Sequence, residues 1–192
     1  EDMYKNIIKL IVFYSCVTLL YPCTTILVGK GLTEDGSIIH AHNEDMDNLT
    51  VGRLWRVNNF SSENDSTWVP YVIIPNAGRK LAYWASGNTK QISKDKLNQT
   101  MLPYDNILVG MNEAGLTMSC NWMYSKEENL EKVGIRRYAI RQLILERSAT
   151  ALEAVNLISS LIDTYGQADW SGLTYVLADP NEAWIVETTT HN

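Results

Sequence analysis

Cys23-Thr24-Thr25-Ile26-Leu27-Val28-Gly29, a loop carrying Asp35-Gly36-Ser37, and Ile38-Ile39-His40-Ala41-His42-Asn43-Glu44-Asp45 together read as two short strands joined by a turn. Thr24 to Val28 is β-branched and apolar, Asp35-Gly36 is a turn signal, and strand character resumes from Ser37 to His42. Antiparallel pairing brings the outer end of the first strand beside the far end of the second. The thiol of Cys23 then faces a polar cluster of His42, Asn43, Glu44 and Asp45.

What precedes Cys23 sharpens this. Ile7 to Tyr21 is almost wholly apolar, with Lys5 and Lys9 at its front. A short basic region ahead of an apolar run is the pattern of a secretory signal, and the run is short for a membrane span. Residues 1–22 are expected to be a leader, as signal peptide or propeptide, and the protein to be exported, secreted or periplasmic. A membrane-anchoring or buried helix is the competing reading. Removal of the leader through Pro22 would make Cys23 the first residue, placing a nucleophile and a base on one residue. An α-amine has a pKa of about 8 and a thiol about 8.5, so the amine takes the thiol proton near neutral pH. Leu20-Tyr21-Pro22 lacks the small residues a signal peptidase prefers. An upstream cut followed by trimming, and self-cleavage at Pro22–Cys23, both remain open.

At 192 residues the chain suits one domain with an ample core. Hydrophobic residues at 45% and charged residues at 20% are ordinary for a globular protein, and the net charge of −6 argues against a nucleic-acid binder. Of the three cysteines, Cys16 lies in the leader. Cys23 and Cys120 are then free to pair in an oxidising compartment, or to be inert buried thiols. Asn48, Asn59, Asn64 and Asn98 open Asn-x-Ser/Thr triplets, which matter only where the host glycosylates exported proteins.

Further along, Val51–Asn58 and Trp68–Ile74 are β-rich, with a polar loop Phe60–Thr67 between them. Lys80–Ala85 reads as a short strand and Ser86–Gln99 as an exposed loop entered through Gly87-Asn88. Asn106–Met111 and Leu116–Trp122 form a second hairpin turning at Asn112–Gly115, where Asn112 and Glu113 serve the turn. Ile135–Arg147 and Ala151–Tyr165 carry helical periodicity; Thr150 with Glu153 fits a capping box and Gly166 a helix stop. Arg136-Arg137 opposes the first helix's dipole and reads as a solvated face. Gly172–Ala178 and Ala183–Thr188 form a third hairpin through Asp179-Pro180-Asn181. Strands, then two helices, then strands fit an α+β layered sandwich of antiparallel sheets.

The opening motif, Cys23 to Lys30 followed by Asp35-Gly36-Ser37 and Ala41-His42-Asn43-Glu44-Asp45, resembles the start of the cysteine-type N-terminal-nucleophile (Ntn) hydrolases, in particular the C69 dipeptidase family that includes the secernins. Bile salt hydrolase and penicillin V acylase are more distant relatives of that branch. The resemblance covers about Cys23 to Asn192, including Asp179, Pro180, Glu182, Ala183, Trp184 and Glu187. It implies a four-layer αββα sandwich, and residues 23–192 are expected to be the N-terminal part of such a domain, because family members are longer. It also implies Cys23 as nucleophile, Asp45 as the group that holds its amine, with Asn43 beside it, and Asn121, in Ser119-Cys120-Asn121-Trp122, as oxyanion donor. In many relatives an arginine stands where this chain has His42.

Three readings of function follow. The first is an amide hydrolase acting through a thioester; the resemblance implies a dipeptidase of broad specificity, with no metal and no other cofactor, and a bile-salt- or penicillin-acylase-like amidase is the alternative. Its partners would be dipeptides, with no nucleic acid and no membrane span once the leader is gone. The second is a metal site of His40, His42, Glu44 and Asp45, the first three on one strand face by alternation. The third is an inactive fragment or binding domain that keeps the fold. A thiol pKa at Cys23 depressed relative to Cys120 is expected of the enzyme and not of the fragment.

Overall fold

A computed structural model of the chain describes residues 23–45, 50–61, 66–69, 72–75, 78–90, 107–126, 133–169 and 171–189. The expected leader, Cys16, and the triplets at Asn48, Asn64 and Asn98 lie outside the described residues, while Asn59 is exposed. β1 (Thr24–Val28) and β2 (Ile39–Asn43) pair antiparallel, Thr24 opposite Asn43 and Val28 opposite Ile39. Their connection turns at Gly36, whose φ of 71° suits a residue without Cβ, and the Asp35 carboxylate accepts the Ser37 backbone N–H at 3.0 Å.

β3 (Thr50–Val57) leads into two short antiparallel pairs. β4 (Phe60–Ser61) pairs with β7 (Arg79–Lys80), and β5 (Ser66–Val69) with β6 (Val72–Pro75). The β-rich run Trp68–Ile74 is thus divided between β5 and β6, and the polar stretch before it contributes strand at both of its ends. β8 (Tyr83–Lys90) continues through Ser86-Gly87-Asn88, which the sequence reads as a turn. Gly52 of β3 stands opposite Asn88, and a bulge at Ser86/Gly87 adjusts the register toward the next strand. Paired neighbours on both sides outweigh the local turn preference, and glycine at a bulge is the common arrangement.

β9 (Ile107–Asn112) and β10 (Thr117–Met123) follow as a hairpin. α1 (Arg137–Arg147) and α2 (Ala151–Tyr165) come next, then β11 (Gly172–Ala178) and β12 (Ala183–Thr188). The large antiparallel sheet runs β12-β11-β10-β9-β8-β3. α1 packs on β9 and β10, and α2 on β11 and β12. Ile140, Leu143 and Ile144 of α1 and Ile158 of α2 join Met118, Cys120, Leu173, Tyr175 and Leu177 of the sheet in one buried cluster. Each large aliphatic side chain there contributes roughly 1.5–3 kcal/mol on burial. Gly110 of β9 allows the close approach, since a Cβ at that position would overlap the Leu145 side chain of α1.

The helix ends are fixed by side chains from elsewhere. Asn112 is buried; its amide donates to the carbonyls of Leu145 and Ser148, at 3.1 and 2.7 Å, and its oxygen accepts from Ala114 and Leu116 N–H. The turn residue therefore also anchors the C-terminus of α1. At the other end of α1, the Asp169 carboxylate accepts the Arg137 backbone N–H at 2.7 Å and pairs with its guanidinium. Arg137 is thus held by an acid that also satisfies the helix N-terminus, rather than lying on a merely solvated face. Thr150 accepts the Glu153 N–H at 3.1 Å, while Glu153 accepts from Ala149 N–H, one residue earlier than a standard capping box. Asp179 accepts from Ala151, Asn181 and Glu182 N–H, so the turn of the third hairpin also caps α2.

Alternation along β10 separates two environments. Met118 and Cys120 enter the core beneath the helices, whereas Thr117, Ser119 and Asn121 bond to side chains or backbone of β1 and β2. The layer order is helices, large sheet, strand pair, the first three layers of an αββα sandwich of antiparallel sheets; both long helices among the described residues lie in the one outer layer. No helix among the described residues is long and apolar enough to cross a membrane.

Candidate active site

Cys23 lies just before β1 and is half-buried. It shares strand parity with Thr25, and across the pair with His42 and Glu44, so these four side chains look toward β10. The sulfur, an imidazole nitrogen of His42 and a carboxylate oxygen of Glu44 all lie within 4.8 Å of one another. Asn121 reaches over from β10 and donates through Nδ2 to the Cys23 carbonyl at 2.9 Å.

Hydrogen-bond accounting assigns the protons. The Cys23 carbonyl only accepts, so the Asn121 group beside it is the NH2. Asn121 Oδ1 then faces Thr25 Oγ1 at 2.8 Å and takes the only hydroxyl hydrogen of Thr25. Thr25 Oγ1, 2.9 Å from His42 Nδ1, must therefore accept there, and His42 carries a proton on Nδ1. Its Nε2 is 2.9 Å from Glu44 Oε2. A bare imidazole lone pair facing a carboxylate is repulsive, so that edge requires a cation, a proton at the least.

The same logic separates His40. Thr117 gives its hydroxyl hydrogen to the Ala178 carbonyl, so it accepts from His40 Nδ1–H at 2.9 Å; Ser119 then donates to Nε2 at 2.8 Å. His40 is the neutral Nδ1–H tautomer. Burial lowers its pKa, and His42 beside it lowers it further.

Burial pushes the Cys23 thiol above its ordinary pKa. The backbone N–H of Asp45 opposes that rise, and the neighbouring Glu44 carboxylate adds to it. No depression below the ordinary thiol value accompanies it. Cys120 is raised by complete burial, against which Arg141 works. The two cysteines are free and on opposite sides of β10, which excludes the disulfide reading.

Of the residues named from sequence, Cys23, Asn121 and the backbone of Asp45 come together. The Asp45 side chain is exposed. Asn43 is exposed, opposite Thr24, on the face of β2 turned away from His42. Sequence alone does not single out Thr25 and Ser119. Strand parity marks them, two residues from Cys23 and Asn121 respectively. Between the strand pair and the large sheet lies a cavity of about 270 Å³ lined by His40, His42, Leu54, Trp84, Met111 and Ser119, among others. It offers apolar walls next to imidazole and hydroxyl groups.

The profile of peptidase family C69 matches residues 22–192. A probable dipeptidase B of Streptococcus pyogenes serotype M18 is 24% identical over 95% of this chain and 36% of its own length. A probable dipeptidase of Latilactobacillus sakei is 26% identical over 89% of this chain and 36% of its own length. The chain thus spans about a third of the length of these curated relatives. Among solved structures, penicillin V acylase from Agrobacterium tumefaciens aligns with a TM-score of 0.49 at 19% identity, covering 88% of this chain and 52% of that one.

Proposed function

The chain belongs to peptidase family C69, and on that basis we propose that it acts as a cysteine-type N-terminal-nucleophile amide hydrolase, a dipeptidase of broad specificity. The observation that carries this reading is the contact of Asn121 with the Cys23 backbone at 2.9 Å, which fixes the head of β1 against the large sheet. Cleavage of the Pro22–Cys23 bond releases the α-amine. That amine accepts the thiol proton, and the sulfur attacks the carbonyl carbon of the scissile amide. The amine then passes the proton to the departing nitrogen, leaving a thioester on Cys23. Water, deprotonated by the same amine, hydrolyses the thioester and regenerates the thiol.

Asn121 Nδ2 carries two hydrogens. One goes to the Cys23 carbonyl, and the second is assigned to the developing oxyanion, where a preorganised amide is the suitable donor. The Asp45 backbone N–H lies at the sulfur and favours its thiolate. The Asp45 carboxylate is assigned to the released ammonium, with Asn43 supporting that end of β2.

The test is hydrolysis of a dipeptide panel, with intact-mass analysis of the same preparation. Protein starting at Cys23 hydrolyses dipeptides and Cys23→Ala does not. Hydrolysis by Cys23→Ala at the wild-type rate refutes the proposal.

A further inference from the structure

We propose that Cys23, His42 and Glu44 form a zinc-binding site whose occupation blocks the hydrolase. The metal site itself rests on geometry alone. Only its inhibitory consequence rests on the function proposed above.

Three features argue for it. First, a sulfur, an imidazole nitrogen and a carboxylate oxygen converge within 4.8 Å from one face of one strand pair. Zinc favours this donor set in tetrahedral array, with bonds of ~2.0–2.3 Å that place donors roughly 3.3–3.7 Å apart. Small rotamer adjustments of Cys23 and Glu44, which are partly exposed, close the gap around a fixed His42.

Second, the hydrogen-bond chain fixes which nitrogen is offered. His42 Nδ1–H is tied to Thr25, and Thr25 to Asn121, at 2.9 and 2.8 Å. Zinc-binding histidines characteristically donate their second N–H to such a partner. The Nε2 edge faces Glu44 at 2.9 Å, a place that a proton or a metal ion can occupy.

Third, the charges balance. Zinc displaces the thiol proton to solvent, and thiolate plus carboxylate offset the two positive charges. A released α-amine of Cys23 would supply a fourth donor through a five-membered N,S chelate. His40, occupied by Thr117 and Ser119, stays outside this set.

Bound zinc takes up the sulfur and, when it is free, the amine, so nucleophile and base are withdrawn together. The experiment is titration of the purified full chain with zinc alone, in competition with a chromogenic chelator. Cobalt(II) replaces zinc in a parallel titration to reveal a thiolate charge-transfer band. One ion per chain is expected. Affinity should fall at least about 100-fold in Cys23→Ser, Glu44→Gln and His42→Arg, beyond what loss of an outer partner costs, and within about threefold of wild type in His40→Ala. The cobalt band should vanish in Cys23→Ser, with circular dichroism confirming that each variant folds.

Absence of stoichiometric binding, or binding that folded His42→Arg and Glu44→Gln retain, overturns the site. Zinc binding by protein that starts at Cys23 yet hydrolyses no dipeptide would support the site while refuting the hydrolase. Hydrolysis that zinc leaves untouched, with no zinc bound, would refute the site alone.

Discussion

Cys120 and Asn121 are neighbours on β10, yet Cys120 is 1% exposed among core side chains while Asn121 reaches across to the backbone of Cys23. Cys120 faces Arg141, whose guanidinium donates to the Ile107 and Cys120 carbonyls. Cys23, on the other side, stands among an amide, an imidazole and a carboxylate. The two thiols are chemically alike, and what separates them is the face of one strand. The apolar face holds β10 in register with β11 and under α1. The polar face spends that rigidity on orienting Asn121, Ser119 and Thr117.

Substitutions at paired positions test this division. Cys23→Ala should reduce kcat/KM for dipeptides by at least about 10³-fold, whereas Cys120→Ala should leave it within about threefold. Equal loss in both would erase the functional difference between the faces. Asn121→Ala should cost about 10²–10³-fold in kcat, the usual loss for one oxyanion donor, with a fall in melting temperature no larger than the loss of its bonds to Cys23 and Thr25 explains. A large melting shift with unchanged kcat would make Asn121 a purely structural tie. Cys120→Ala should cost about 1–2 kcal/mol in urea unfolding as a small core cavity, and Cys23→Ala distinctly less.

The smallest effect concerns pH. Burial disfavours ionisation of Asp179, but N–H donors from Ala151, Asn181 and Glu182 prevail and hold its carboxyl below the ordinary value. A depressed carboxyl adds stability that is fully present above the unfolded value of about 3.9 and is lost as pH falls through the native value. The gap in melting temperature between wild type and Asp179→Asn should therefore be constant at neutral pH and narrow below about pH 4. A gap that widens in acid would contradict the assignment.

The hairpin around Cys23, the two long helices and their stop at Gly166 were legible because their signals are local: β-branched runs, Asp-Gly, a capping Thr, helical spacing. The second half of β8 was not. Ser86-Gly87-Asn88 favours a turn in isolation, and only its pairing with β3 and β9 makes it strand. The caps supplied by Asn112, Asp169 and Asp179 join residues about 30 positions apart, and nothing local announces them. At the site, Cys23 and Asn121 could be named, but the proton on His42 Nδ1 follows from bonds that link Asn121 to Thr25 and to Cys23, 96 and 98 positions away. Strand parity, by contrast, was available from sequence and already puts Asn43 on the face opposite His42.

The most direct test of the central claim is mass spectrometry of enzyme rapidly quenched during dipeptide turnover. An acyl adduct is predicted on a peptide whose first residue is Cys23, held as a hydroxylamine-labile thioester. Turnover with no adduct on Cys23, or an adduct on any other residue, would contradict the account.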